Sequence, residues 1–286
     1  NIIKKSGLVG GKELVSTIHV KLGYDSALKR SKTMWENEKV VPVTPMLAHK
    51  WEDRQKHISE PFYVQPKIDG VRLLVSNKGG ISRTGKVVPG TEHWGKGLKE
   101  GEYLDGECYD PTKTFEEITS LYKTNPKALQ FHVFDYFDTN RPKLTFDERL
   151  ERVTVETKRG RSKKDLPAVH KQYMEAGYEG TMIREASSVY EVGKRSNYLL
   201  KHKDFMTEEY KVIGMRECTG KDVGTPTWVC VTPSGNEFTV RPEGTREIRR
   251  EMFKNGSSYI GKMLTVKFQN LTDLGVPRFP VGIAVR

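Results

Sequence analysis

Residues 67–72 read KIDGVR and lie between two apolar, β-rich runs, 61–64 (PFYV) and 71–75 (VRLLV). The pattern predicts a lysine at the end of a strand, followed by a tight Asp-Gly turn and an arginine. Lysine is nucleophilic only as the neutral amine, a form that burial or neighbouring cations favour. Arg72 supplies one such cation and could also clamp a phosphate. On its own, the hexapeptide is more typical of an ordinary turn than of an active site.

Composition narrows the class of protein. The chain has 286 residues, enough for one large or two smaller domains, and its 36% hydrophobic and 30% charged residues predict a soluble globular protein. No apolar run approaches the ~20 residues that span a bilayer, and residues 1–11 contain no signal-peptide core. The three cysteines form no CxxC pair, which favours a reducing compartment and argues against structural zinc. We therefore expect an intracellular protein of the cytoplasm or nucleus, without membrane contact.

The charge of the chain predicts a polyanionic partner. The formal net charge is +11 at pH 7, and the basic residues are spread along the sequence instead of forming a tail. This distribution indicates a basic face built from several segments. Nucleic acid is the expected partner because phosphate neutralisation dominates such binding. A basic protein without such a partner is the alternative.

Local patterns predict an α+β protein with a change of character near residues 204–209. Thr114 with Glu117 predicts a helix that begins with a capping box. An amphipathic helix is expected over 145–159, a basic loop over 158–164 and a second helix over 167–176. The last eighty residues predict a small closed barrel of the OB type, with strands at 210–214, 228–232, 237–241 and 264–268 and one helix at 246–254.

Further chemistry-bearing segments follow the hexapeptide in a fixed order. Each lies on or beside a predicted strand, so all of them could converge on one cleft lined by sheets. The segments are 105–107 (DGE), 131–137 (FHVFDYF), 179–184 (EGTMIR) and 199–203 (LLKHK).

This ordered series resembles the covalent nucleotidyltransferases, which comprise ATP-dependent DNA ligases, RNA ligases and mRNA capping enzymes. Among them the chain looks most like a small, phage- or virus-type ATP-dependent DNA ligase, from about Met46 to the C-terminus. Segments 45–48 (PMLA), 82–85 (SRTG) and 277–280 (PRFP) resemble further motifs of that family.

The resemblance implies an α+β fold in two domains. A nucleotidyltransferase (ATP-grasp-like) adenylation domain, with antiparallel sheets and flanking helices, is expected over 45–206. A C-terminal OB-fold β-barrel is expected over 207–286. Residues 1–44 are expected to be a separate basic segment, with an amphipathic stretch near 12–22.

The residues of these motifs suit phosphoryl transfer. Lys67 is the expected nucleophile. Lys201 and Lys203, two positions apart on one strand, face the same side and could reach one phosphate. Together with Arg72 and Arg278 they would form the ring of cations that phosphoryl transfer needs. An ordinary exposed strand face is the alternative for the two lysines.

Other positions are expected to bind the nucleotide, a metal ion or DNA. Glu107 and Glu179 offer oxygen ligands suited to Mg²⁺ or Mn²⁺. The resemblance also places Glu107 near the ribose and Phe134 against the adenine; core packing is the alternative for Phe134. Gln65 stands at a base-recognition position where many relatives carry an acidic residue. Contacts to the ribose or to the nick phosphate are expected from Arg83 and Arg195.

The implied function is an ATP-dependent DNA ligase that seals 5′-phosphate/3′-hydroxyl nicks through a lysyl-AMP intermediate at Lys67 and a DNA-adenylate. ATP would be the co-substrate, Mg²⁺ (or Mn²⁺) the metal, nicked duplex DNA the partner and a monomer the working form. Two alternatives share the covalent lysine: an RNA ligase and a GTP-using capping guanylyltransferase. A third is a non-catalytic OB-fold protein that binds nucleic acid.

Overall fold

The computed structural model describes residues 43–286, so the basic segment expected over 1–44 lies almost wholly outside the described residues. Within 43–286, the strands form two five-stranded sheets and a closed five-stranded barrel. This α+β architecture, with antiparallel sheets, flanking helices and a C-terminal barrel, confirms the predicted fold class. None of the helices in 43–286 combines the length and apolar character needed to cross a bilayer.

The first sheet contains the strand that ends at Lys67. Its neighbours pair antiparallel, except for the two strands at one edge, which are parallel. The strands, numbered along the chain and given in their order across the sheet, are β1 (Leu47–Lys50), β10 (Arg195–His202), β9 (Gly180–Glu185), β2 (Phe62–Lys67) and β8 (Lys158–Gly160).

The second sheet begins where the hexapeptide ends, and all of its neighbours are antiparallel. Its strands, in order across the sheet, are β5 (Val87–Val88), β4 (Gly79–Ser82), β3 (Val71–Ser76), β6 (Glu102–Tyr109) and β7 (Gln130–Asp138). The Asp-Gly turn therefore joins two sheets and not two paired strands. Gly70 passes close to β6, since a Cβ there would lie 2.3 Å from the carbonyl oxygen of Cys108. Only glycine permits this approach.

Successive side chains of the strands point to opposite faces, so each sheet packs against the other sheet on one face and against further apolar side chains on the other face. Leu73 packs on the outer side of the second sheet, in a cluster with Ile118, while Leu74 points inward and meets Leu199 of the first sheet. The next residue, Leu200, points to the far side of the first sheet. This is the period of two expected for strands buried on both faces. The α-helices within residues 43–286 are α1 (Trp51–Arg54), α2 (Phe115–Thr124), α3 (Phe146–Arg149), α4 (Leu166–Glu175) and α5 (Arg246–Lys254).

The helices follow the sequence in two cases, and in a third the start is as expected but the length is not. The capping box of Thr114 and Glu117 is present, and α4 lies where the second helix was expected. The long helix expected over 145–159 is wrong, because α3 ends at Arg149 and only one 3-10 turn, Leu150–Arg152, follows. Tertiary contacts override the helical pattern there: the Arg149 guanidinium is buried against Asp135.

The basic run 158–164 is also different from the expected loop. Its first residues form β8, which pairs with β2 at the edge of the first sheet. Lysine and arginine on a short edge strand discourage pairing with other chains.

The barrel closes in the order β11-β12-β13-β15-β14 around a core that contains Trp228 and Val240. The sequence indicated four of its strands and helix α5, but missed β15, the short strand that completes the closure. The strands are β11 (Met206–Glu217), β12 (Pro226–Val231), β13 (Glu237–Pro242), β14 (Met263–Phe268) and β15 (Val281–Val285). The boundary between domains stays a prediction; the first barrel strand begins at Met206.

Candidate active site

Two cavities meet at Lys67. The larger, about 360 Å³, lies on the side of the barrel and includes Glu179 and Lys203 in its wall. The smaller, about 230 Å³, lies between the two sheets and includes Phe134 and Gln65. Both cavities share Lys67, Ile68, Glu107 and Lys201. Lys67 therefore lies where the two cavities join. A molecule long enough to reach from one cavity into the other would pass beside its amine.

Glu179 holds two lysines together. One of its carboxylate oxygens accepts a hydrogen bond from Lys67 Nζ and the other accepts one from Lys203 Nζ. The pairing follows from the sheet register, in which Lys67 lies opposite Gly180 at the end of β9. Burial alone would raise the pKa of Glu179, but Lys67 and Lys203 outweigh it and hold that pKa below its usual range.

The lysines of the cleft repel one another, so each makes the charged form of its neighbours less favourable. Burial lowers the pKa of Lys203, and the charge of Lys67 lowers it further. The pKa of Lys201 is lowered by burial and by the charges of Lys203 and Lys67. A polyanion in the cleft would relieve this repulsion, so the site is electrostatically prepared for a phosphate chain.

Glu107 lines both cavities and is the second acid of the cleft. Burial raises its pKa to about 7, against the attraction of Lys67 and Arg72. A carboxylate that is costly to ionise, in a cavity wall and close to a second acid, suits a hard cation with oxygen ligands. Glu107 therefore fits the Mg²⁺ expected from the sequence. Glu179 fits it less directly, because both of its oxygens are engaged by lysines.

The smaller cavity has the character of a nucleoside site. Apolar side chains, Met182 and Leu199, line it together with Phe134, and four arginines and two lysines lie in the same wall. The Gln65 side chain is fully buried and satisfied by protein groups. Its amide donates to the Phe134 carbonyl and to Thr157 Oγ1, both at 3.0 Å, and its oxygen accepts a 2.7 Å bond from Arg184. Gln65 thus shapes the cavity wall, with its amide hydrogens already used.

A buried charge network underlies this cavity and was not anticipated from the sequence. Asp105 accepts two bonds from Arg72, at 2.8 and 2.5 Å, and a third from the Tyr190 hydroxyl. Asp135 accepts from both Arg149 and Arg184. One feature of the sequence could have indicated this network: an acid inside an apolar strand, as in segment 131–137. Such an acid is costly to bury unless a cation is buried with it.

The position of Arg72 follows from this network. Its guanidinium is paired with Asp105 and lies 5.2 Å from the centre of the Phe134 ring. The expected contact with a phosphate or ribose stays a prediction, and the structure adds the task of holding Phe134 from one side.

Arg278 lies at the contact between the barrel and the sheets. It is the one predicted site residue, within 43–286, that lines neither cavity. Its Nη1 donates to Asp69 of the hexapeptide at 2.6 Å, and its guanidinium stacks against Phe115. A second contact joins Lys203 Nζ to Gln269 Oε1 at 2.8 Å. The barrel therefore covers the larger cavity.

Arg83 and Arg195 are exposed and line the smaller cavity. Arg195 donates to the Ala48 carbonyl of the neighbouring strand. Their exposure leaves room for a polyanion at the rim, and their contacts to ribose or DNA stay predictions.

Comparison with known proteins agrees with this geometry. The family model described as "ATP dependent DNA ligase domain" matches residues 45–203, more than half of the chain. A second model, "DNA ligase OB-like domain", matches residues 225–286. The two models cover the two-sheet region and most of the barrel.

The relatives that match by sequence are themselves named DNA ligases. The DNA ligase of African swine fever virus is 29% identical over 257 residues, which cover 75% of this chain and 61% of the relative. The chain thus spans less than two thirds of the length of these viral proteins. The DNA ligase of Haemophilus influenzae is 26% identical over 263 residues, with 82% of this chain and 89% of the relative covered.

A solved structure from a structure-function study of Lig E DNA ligases shares the fold. Its TM-score is 0.70 at 23% identity, over 85% of this chain and 99% of that chain. The nucleotidyltransferase adenylation domain and the OB-fold expected from the sequence are therefore present. With the motif lysine, its two acids and the basic cleft assembled in one place, the chain belongs to the ATP-dependent DNA ligase family.

Proposed function

We propose that this protein seals 5′-phosphate/3′-hydroxyl nicks in duplex DNA, with ATP as co-substrate and lysyl-AMP at Lys67 as the first intermediate. The observation that carries the proposal is the place of Lys67 at the junction of two cavities, one with Phe134 in its wall and the other with Lys203 and Glu179 in its wall. ATP has a flat aromatic base at one end, suited to stacking on a ring such as that of Phe134, and a polyanion at the other. Its α-phosphorus would lie beside the Lys67 amine when both ends are bound.

In the first step, the neutral amine of Lys67 attacks the α-phosphorus. A nitrogen–phosphorus bond forms and the bond between the α-phosphorus and the pyrophosphate oxygen breaks. The nitrogen, positively charged once it is bonded to phosphorus, then loses a proton to solvent. Lys203 and Lys201 neutralise the charge that moves onto the pyrophosphate. Their lowered pKa values favour this role, because binding the phosphates removes the mutual repulsion of the cations.

Glu179 prepares the nucleophile. In the free protein it holds Lys67 and Lys203 at one carboxylate. When Lys203 turns to the phosphates, Glu179 retains Lys67 and orients its amine. A hard cation bound at Glu107 would neutralise phosphate charge, and Mg²⁺ is the expected ion.

The second and third steps move AMP to the DNA and release it. An oxygen of the nick 5′-phosphate attacks the lysyl-AMP phosphorus, and the nitrogen–phosphorus bond breaks as the Lys67 nitrogen takes up a proton from solvent. The 3′-hydroxyl then attacks the phosphorus of the DNA-adenylate, forms the phosphodiester and expels AMP. Arg83 and Arg195 are exposed at the rim, where a nick phosphate would enter. A single copy of the chain carries all of these residues, so we propose a monomer.

The barrel must leave the cleft between these steps. Arg278 and Gln269 tie it over the larger cavity in this structure, an arrangement suited to closing over ATP. Duplex DNA cannot reach Lys67 while the cavity is covered. We propose that the barrel swings away after the first step and then grips the DNA.

The test incubates the protein with Mg²⁺ and ATP labelled at the α-phosphorus, followed by a denaturing gel. Label should remain on the wild type and disappear from Lys67→Ala. Lys78→Ala is the matched control, because the Lys78 side chain is 79% exposed and lies outside the cleft. Label retained by Lys67→Ala, or a wild type that takes up no label, would contradict the proposal.

Substrate choice is tested on two panels. Labelled GTP in place of ATP distinguishes a capping guanylyltransferase, and nicked duplexes with DNA or RNA at each side of the nick distinguish an RNA ligase. We expect labelling with ATP alone and sealing with DNA on both sides. The match to an ATP-dependent DNA ligase family over the catalytic region supports this expectation.

A further inference from the structure

A cluster of metal-ligating side chains lies outside the cleft. His170 projects from α4, His202 ends β10, and Asp204 lies in the short connection that leads to the barrel. One ligand atom from each of the three lies within 4.8 Å of the others. The two imidazole rings have their centres 4.2 Å apart. None of these residues has a role in the proposed chemistry.

The buried histidine has a ring nitrogen without a partner. The His170 side chain is only 7% exposed, and its Nε2 lies 3.1 Å from Asp204 Oδ1 without forming a hydrogen bond. Its Nδ1 is held at 2.9 Å by the hydroxyl of Thr181. When Nδ1 donates to that hydroxyl, Nε2 presents a lone pair towards a carboxylate oxygen. Two facing lone pairs repel each other unless a cation lies between them.

The second histidine also has one ring nitrogen held by a protein oxygen. Nδ1 of His202 lies 2.5 Å from Glu52 Oε1, which leaves Nε2 as its available ligand atom. Histidines that bind metals usually have their other ring nitrogen fixed by a carboxylate or a similar oxygen, and both rings here have that support. The two acids, Glu52 and Asp204, offset much of the charge of a divalent ion.

We propose that His170, His202 and Asp204 form a binding site for a divalent transition-metal ion of the Zn²⁺ type. Two imidazoles and one carboxylate suit such ions and disfavour Mg²⁺, which prefers oxygen ligands alone. Ligands about 2.1 Å from one ion lie roughly 3.4 Å apart in a tetrahedral site. The ligand atoms, which lie within 4.8 Å of one another, would draw closer when the ion binds. Asp204 is exposed and His202 is partly exposed, which allows that adjustment.

The site has a consequence for the connection between the sheets and the barrel. An ion held by His170 and Asp204 would fix α4 to the segment that connects the sheets to the barrel. Lys203 and Phe205, the two residues on either side of Asp204, both line the larger cavity. It would therefore stabilise this segment. The inference does not depend on ligase activity, since it concerns binding by the free protein.

The test titrates the metal-free protein with Co²⁺, in excess Mg²⁺ that occupies the carboxylates of the cleft, and follows the visible absorption of the bound ion. We expect one equivalent of Co²⁺, displaced by Zn²⁺. His202→Gln and Asp204→Asn should each weaken its binding by about tenfold or more, as expected when a ligand is lost. His93→Gln, an exposed histidine of the second-sheet region, is the matched control and should bind like the wild type.

Both site variants change exposed or partly exposed side chains, so circular dichroism should report a native fold. Co²⁺ binding of equal strength in His202→Gln, Asp204→Asn and His93→Gln would overturn the proposal. So would a wild type without Co²⁺ absorption. A rise in the melting temperature with Zn²⁺ that is lost in His202→Gln alone among the histidine variants would support it independently.

Discussion

The buried carboxylate of Asp135 offers the sharpest test of how the fold supports the site. We consider Asp135→Asn, which removes one negative charge and keeps the shape of the side chain. In the wild type its oxygens accept from Arg149 Nε at 2.8 Å and from Arg184 Nη1 at 2.6 Å, and the carboxylate has no solvent exposure. The two guanidiniums are almost fully buried as well.

Two buried cations depend on this one anion. Removing one partner of a buried ion pair typically costs about 3–5 kcal/mol, because the remaining charge is left without compensation. We therefore expect the free energy of unfolding of the adenylation domain to fall by about 3–5 kcal/mol. At roughly 2–4 °C per kcal/mol for a domain of this size, its melting temperature should fall by about 10 °C.

The effect should reach the nucleoside cavity through Arg184. That guanidinium also holds the Gln65 oxygen, and the Gln65 amide in turn holds the carbonyl of Phe134. We expect ATP to bind about tenfold more weakly to Asp135→Asn at a temperature where the variant is folded, since the wall of the cavity is no longer fixed. Urea unfolding and equilibrium binding of ATP measure the two effects separately.

Asp165→Asn is the control, because Asp165 is exposed at the start of α4 and its side chain makes no capping hydrogen bond. A double variant with Arg184→Gln should be less destabilised than the sum of the two single variants. A loss under about 1 kcal/mol in Asp135→Asn, or strict additivity in the cycle, would refute the reasoning that the network is held by charge.

Three further variants test separate features. Gly70→Ala should reduce lysyl-AMP formation by about 100-fold, because a Cβ 2.3 Å from the Cys108 carbonyl oxygen displaces the crossover that carries Lys67. In metal-free buffer, Glu107→Gln should gain stability relative to the wild type as the pH rises from 4.5 to about 7. The raised pKa of Glu107 favours the folded state only while the carboxyl is protonated, and the difference is about 3 kcal/mol by urea unfolding. Arg278→Ala should loosen the barrel, seen as a larger radius of gyration in solution scattering, because the Asp69 ion pair is lost.

Each of these variants has a matched control. Gly214→Ala is the control for Gly70→Ala, since its methyl group makes only ordinary contacts. Glu116→Gln, at an exposed acid on α2, is the control for Glu107→Gln. Arg286→Ala is the control for Arg278→Ala, because it removes an exposed arginine that pairs with Glu209 of the same barrel. Normal labelling of Gly70→Ala would show that the crossover tolerates a side chain. A pH-independent difference for Glu107→Gln, or an unchanged radius for Arg278→Ala, would contradict the respective argument.

Local patterns made much of the fold predictable. The capping box at Thr114, the helix α4 and the alternating strands of the barrel depend on residues only a few positions apart, and all three appear as expected. The predictions failed where a contact with a residue far away in the sequence determined the local structure. Arg149 ends a helical pattern because its guanidinium is drawn to Asp135, fourteen residues away.

The site was predictable as a set of residues and not as a set of contacts. Lys67, Glu107, Glu179, Lys201 and Lys203 do line one cleft. The sequence did not indicate that Glu179 would hold Lys67 and Lys203 at once, or that Gln65 would already be satisfied by Arg184 and Phe134. Such pairings depend on which strands become neighbours and in which register.

The sequence by itself determined which chemistry the protein carries, since the nucleophile, the acids and the cations are residue types in a fixed order. Only the tertiary structure decided which of these charges are free to act and which are used to support the fold. Asp105 and Asp135 lie in the same motifs as the site residues, yet both are neutralised by buried arginines. The physical reason is that burial makes an unpaired charge costly, so each pairing follows from the packing of strands far apart in the chain.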